Sequence, residues 1–145
     1  MRNILFRGKR VDNGEWIEGY YVYISAGEFT YDREHHFIQT EYKGRMGPVY
    51  DVEPKTVGQY TEFYDVNGKN IFEGDIVERV RKVEGQPRRM YVVDHRGSWM
   101  LWNGPDDDDF LWNWCAPATD HGVQVGGCII VGNIHDNPEW LEENQ

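Results

Sequence analysis

The sequence is poor in the residues that build helices. Leu and Ala together number seven against 23 for Val and Ile, so stiff β-branched side chains that suit pleated strands outnumber strong helix formers and exclude a helical bundle. Cysteine is nearly absent. Cys115 and Cys128 are two thiols in a 145-residue chain, long enough to bury a core without cross-links, and they read as reduced and cytosolic, with a disulfide as the alternative. No run approaches the roughly 18 consecutive apolar residues of a membrane helix. The opening stretch to Arg7 holds only Ile4, Leu5 and Phe6 before the next charge, so neither export nor anchoring is expected.

Basic residues are missing from the last third. The formal net charge is −10, Arg96 is the last cation, and nine carboxylates lie within 101–145. Binding to nucleic acid draws its non-specific affinity from Lys and Arg displacing counterions, so a polyphosphate partner is not expected there. One basic stretch stands apart: Arg79, Arg81, Lys82, Arg88 and Arg89, opposed by Glu78 and Glu84. It reads as a solvated hairpin tip, with local nucleic-acid contact as the alternative.

What is present is a series of turn signals between β-rich runs. Asn13-Gly14 separates Ile4-Leu5-Phe6 from Trp16-Ile17 and Tyr20 to Ile24, the strongest short hairpin signal because both turn residues accept positive φ. Residues 25–55 mix Gly27, Gly44, Gly47, Pro48 and Pro54 with short apolar pieces, which predicts an irregular β segment with a long loop. A strand at Thr56 to Tyr60 leads to a second hairpin at Asn67-Gly68, a corner at Glu73-Gly74-Asp75 and a strand from Ile76 toward Val83. Gly85-Gln86-Pro87 and Arg96-Gly97 then reverse the chain around Met90 to Val93 and Trp99 to Trp102. Phe110 to Trp114 reads as a strand or a short helical turn, and Val123 to Val125 with Cys128 to Val131 closes the β portion. A small barrel hides so many edges economically. Asn137 and Pro138 begin one short helix to Glu143, anchored by Trp140 and Leu141.

Three stretches carry a family pattern. They are Ile4-Leu5-Phe6-Arg7-Gly8 with Gly14-Glu15-Trp16, Val57-Gly58-Gln59-Tyr60-Thr61 through Asp65-Val66-Asn67-Gly68-Lys69 to Ile71-Phe72-Glu73-Gly74-Asp75-Ile76-Val77, and Val131-Gly132-Asn133-Ile134-His135-Asp136-Asn137-Pro138-Glu139. In this order they resemble the YopX family of small proteins carried by bacteriophages and prophages. The resemblance implies a mainly β fold with an N-terminal β-hairpin region over 1–60, packed on an SH3-like small β-barrel with a C-terminal helix over 61–145. It also implies a phage or prophage setting, and hence a bacterial host cytoplasm, and a tendency to self-associate. It brings no reaction. The shared glycines, Asp75 and Asn133 to Pro138 read as fold determinants. His135 departs from the family's usual Tyr, and the Asp106 to Asp109 run has no place in the pattern.

Candidate chemistry is sparse. Asp106, Asp107, Asp108 and Asp109 offer oxygen ligands, but adjacent side chains on an extended chain point to alternating faces and do not converge on one cation, so a solvated acidic loop is the preferred reading. Cys115, His121, Cys128 and His135 lack the tight two-to-four-residue pairing of structural zinc sites. His135-Asp136, or Cys115 or Ser98 with a histidine, would need an activating base and an oriented third group that sequence proximity does not supply. No phosphate-cradling glycine loop and no nucleophile elbow is present. No cofactor, metal or enzymatic activity is expected. Tyr91, Trp99, Trp102, Trp112 and Trp114 crowd one quarter of the chain; if their run is a strand, Trp112 and Trp114 share a side, as core or as a docking groove.

The expected function is non-enzymatic: a phage or prophage accessory protein that binds protein and forms homo-oligomers. The basic stretch and the acidic loop meet between subunits, so that salt weakens assembly. An unidentified host or phage protein is the other expected partner, with no membrane. The alternative is a nucleic-acid-related role, by direct contact or by DNA mimicry from the acidic end.

Overall fold

The computed structural model describes residues 4–27, 33–80, 84–85, 87–104, 108–115 and 127–142. By contact density the chain divides into two units, Met1–Tyr60 and Thr61–Gln145.

In the first unit, Asn13-Gly14 sits in the turn between β1 (Phe6–Lys9) and β2 (Trp16–Ile24), which pair antiparallel with Phe6 opposite Gly19 and Lys9 opposite Trp16. Gly14 takes φ +73°, the conformation that a Cβ disfavours. The segment expected to be an irregular β stretch with a long loop instead holds a hairpin, β3 (His35–Tyr42) and β4 (Arg45–Asp51), with one register shift between Gln39 and Glu41. Its turn is Lys43-Gly44 at φ 49° and 75°; a lysine at positive φ carries no sequence signal, which is why the hairpin is not legible beforehand. A 3-10 turn at Pro54–Thr56 leads into β5 (Gly58–Tyr64), whose start pairs with β1. The strand order in this unit is β4-β3-β2-β1-β5. Pro48 lies on edge strand β4, where no ladder donor is needed.

Alternation assigns this sheet two faces. Gly8, Gly19, Ile38 and Val52 lie on the covered one, with Ile38 and Val52 buried. A Cβ on Gly19 would stand 2.2 Å from the Gln39 carbonyl oxygen, so the close approach of β2 to β3 requires glycine there.

In the second unit, the turn at Asn67-Gly68 joins the far end of β5 to β6 (Asn70–Phe72). Gly74 at φ +92° makes the corner into β7 (Asp75–Arg79), shorter than the strand expected toward Val83, a residue outside those described. Then come β8 (Arg89–His95), β9 (Ser98–Trp102), β10 (Asp108–Phe110), α1 (Leu111–Cys115), β11 (Cys128–Asn133) and α2 (Glu139–Glu142). The strand expected at Val123 to Val125 lies outside the described residues. β7 to β11 form an antiparallel sheet of order β10-β9-β8-β7-β11.

That sheet is open. Among the described residues β10 and β11 are its edges and no closed barrel is seen, so the mainly β, antiparallel part of the expectation stands without the SH3-like barrel that the resemblance implies. β10 is three residues long and turns directly into α1. α1 covers the sheet's inner face: Leu111, Trp114 and Cys115 pack with Val77, Met90 and Leu101 in the core. Trp112 and Trp114 therefore sit on a helix and point differently, Trp114 buried and Trp112 47% exposed.

The cysteine reading is also corrected. Cys115 and Cys128 form a disulfide, Cα atoms 5.3 Å apart and 13 residues apart in sequence, joining the end of α1 to the start of β11. Only the folded placement of those two ends brings the sulfurs together.

Several family-pattern residues organise turns. Buried Asp65 accepts Asn67 and Lys69 N–H on Oδ1, both at 2.9 Å, and Ile130 N–H on Oδ2 at 3.2 Å. Asp75 Oδ2 accepts Phe72 N–H at 2.8 Å. Asn133 Oδ1 accepts the N–H groups of His135 and Asp136. Asn137 turns its side chain back to Asn133 N–H at 3.3 Å, while its carbonyl accepts Trp140 N–H. Trp140 lies over Gly132, where a Cβ would meet its ring at 2.8 Å.

Candidate functional site

The sequence offers one basic stretch and one acidic run, and the structure joins parts of them within a single chain. Arg79, at the end of β7, places Nη2 3.2 Å from Asp109 Oδ2, and its guanidinium stacks 4.4 Å from the Trp114 ring centroid. The Trp114 indole N–H donates to the same Oδ2 at 3.1 Å, while Asn113 Nδ2 and Phe110 N–H donate to Oδ1 at 2.7 and 2.8 Å. Glu78 receives the other described cations: Arg88 Nε at 2.5 Å and Arg89 Nε at 3.2 Å. Arg89 also stands 5.7 Å from the Trp140 ring. Each guanidinium thus already faces a carboxylate, which reduces what it offers to a phosphate. Arg81, Lys82, Asp106 and Asp107 lie outside the described residues. Asp108 is exposed and directed elsewhere.

Where Asp108 points is set by register. Tyr91 of β8 is opposite Trp102 of β9, which is opposite Asp108 of β10. The next row on that face is Val93, Met100 and Phe110. Met90, Val92 and Leu101 alternate to the inner face and are buried, so these two rows form the outer face. From these rows Tyr91, Val93, Met100, Trp102 and Asp108, with His95, line a concavity of about 230 Å³. Trp102 and Tyr91 are singled out by the aromatic count in the sequence. The contributions of Met100 and Phe110 need the pairing register, because a one-residue slip moves every side chain to the other face.

The first unit has its own open face, opposite the one holding Ile38. Tyr20, Gln39 and Val49 form one cross-strand row and Val22, Phe37 and Asp51 the next. Tyr20 is 52%, Val22 41% and Val49 51% exposed. On the covered face Tyr21 Oη meets His36 Nδ1 at 2.5 Å, and His36 Nε2 lies 3.4 Å from Glu34 Oε2. Burial raises the Tyr21 pKa, first among its causes, with the nearby Tyr23 and Glu34 adding to it. The phenol and the imidazole share one hydrogen bond whose direction follows the ring's tautomer. No Ser, Thr or Cys side chain is bonded to His36 among the described residues, so the chain of groups acts as a tie between β2 and β3.

Among the described residues no group of three or more His, Cys, Asp or Glu is placed to hold a metal ion. Of the zinc candidates, Cys115 and Cys128 bind each other, His121 lies outside the described residues, and His135 packs over Gly74, its Nε2 3.4 Å from where a Cβ would stand. No described helix is long and apolar enough to cross a membrane.

Comparison with known proteins finds a family model and a solved structure that each cover nearly the whole chain. The family model described as YopX protein matches residues 5–142. Among solved structures, the crystal structure of protein EF1440 from Enterococcus faecalis is similar over 97% of this chain and 99% of that chain, with a TM-score of 0.53 and 20% identity, a likeness of fold. No curated protein matches the chain.

Proposed function

The chain belongs to the YopX family, and on that premise we propose that it is a non-enzymatic phage or prophage accessory protein that binds protein and self-associates. The observation that carries self-association is the open face of β2, β3 and β4, with Tyr20, Val22, Phe37 and Val49 in two adjacent rows. A contiguous apolar patch on a sheet is a surface that water solvates at a cost, and covering it is favourable. The occupant is a second copy. In a two-fold contact a patch meets itself, so a patch of one charge sign repels its copy, whereas these two rows carry a single carboxylate, Asp51. Two such sheets packed face to face form a sandwich interface about 10 Å thick.

This places the attraction in apolar area. The pairing expected between subunits is made inside one chain for Arg79 and Asp109, so assembly through the sheet face persists in salt instead of weakening.

The test is light scattering on the wild type and on Val22→Lys. The wild type at tens of micromolar is expected above the monomer mass and Val22→Lys at the monomer mass. Val49→Lys on the same face, with an unchanged circular dichroism spectrum, separates lost contact from lost folding. A wild type at monomer mass throughout, or two folded lysine variants that still assemble, would overturn the proposal.

A further inference from the structure

We propose that the concavity on the outer face of β8, β9 and β10 is a binding site for an arginine side chain presented by a partner polypeptide. This names the partner chemistry for the protein-binding part of the proposed function and rests on that part, not on self-association.

The argument begins with what lines the site. The row Tyr91, Trp102, Asp108 sets two aromatic rings and a carboxylate side by side on adjacent strands. Directly paired side chains have Cβ atoms about 5 Å apart, so a guanidinium resting on the Trp102 ring is within reach of the Asp108 carboxylate. Among the described residues the Asp108 carboxylate has neither a hydrogen bond nor an ion pair. Met100 and Val93 complete an apolar floor against which a three-carbon stem packs.

Charge selects the ligand. Among the described residues no Lys or Arg lines the groove, and no Lys or Arg occurs after Arg96 in a chain of net charge −10. A cation is therefore drawn toward this face and an anion repelled. Aromatic faces attract cations through their quadrupole, Trp most strongly, and the planar guanidinium also stacks and bonds a carboxylate with two parallel N–H groups. The chain already uses this arrangement internally: Arg79 lies over Trp114 and bonds Asp109. The groove presents the same pair of partner types, Trp102 and Asp108, without the arginine.

The experiment uses the full chain carrying Val22→Lys, so that self-association does not enter. A capped heptapeptide with one central arginine between leucine and threonine is titrated against the same peptide with neutral citrulline. The readout is the Trp102 indole N–H resonance, assigned with Trp102→Phe. The arginine peptide is expected to shift it saturably and to bind about tenfold more tightly than the citrulline peptide. Asp108→Asn, at an exposed position, should keep the native spectrum and lose about the same factor. Equal binding of both peptides, an unchanged affinity in folded Asp108→Asn, or no saturable shift up to millimolar peptide would overturn the proposal.

Discussion

Asp65 joins two segments with one side chain, accepting two N–H groups of its own turn and one from Ile130 of β11. Replacing it with Ala leaves three partly buried donors without this acceptor, each costing roughly 1–3 kcal/mol where water does not reach it. Asp65→Ala is expected to lose about 3 kcal/mol in urea unfolding; a loss below about 1 kcal/mol would show that water satisfies these donors instead. Tyr21 gives a pH-dependent prediction. Burial holds its phenol protonated above the ordinary tyrosine range, so between the unfolded and folded pKa values the native state binds the extra proton. Its contribution is complete below about pH 10 and is lost as pH rises through the folded value. The urea midpoint of the wild type should fall more steeply than that of Tyr21→Phe above about pH 10, and parallel curves would contradict this.

Among elements, legibility followed backbone chemistry. Asn13-Gly14, Asn67-Gly68 and Arg96-Gly97 each mark a turn between paired strands because their glycines take positive φ. The β3–β4 hairpin was hidden because half of its turn conformation falls on Lys43. α1 was ambiguous because five residues with two tryptophans carry neither a helical period nor a strand alternation long enough to decide. Of the candidate site, the aromatic richness was readable, but Met100 and Phe110 join Trp102 only through register. The disulfide was not readable, since it depends on where α1 ends beside β11. Closing a loop of 13 residues restricts the unfolded chain by about 3 kcal/mol on the chain-entropy estimate. Reductant is therefore expected to lower the urea midpoint of the wild type and to leave Cys115→Ser/Cys128→Ser unchanged. Identical wild-type midpoints with and without reductant would show that the bond adds nothing.

For the molecule as a whole, the acidic surplus and the apolar face have separate consequences. A net charge of −10 disfavours polyanions through long-range repulsion. The proposed self-association then has to come from a surface that carries little charge, and β2, β3 and β4 supply one. Screening weakens repulsion between two acidic copies while leaving apolar attraction intact. The most direct measurement is sedimentation equilibrium of the wild type at tens of micromolar, from low salt to about 1 M sodium chloride. The account predicts a mass above the monomer that holds or rises across the series; a monomer mass throughout, or an oligomer that dissociates as salt is raised, would contradict it.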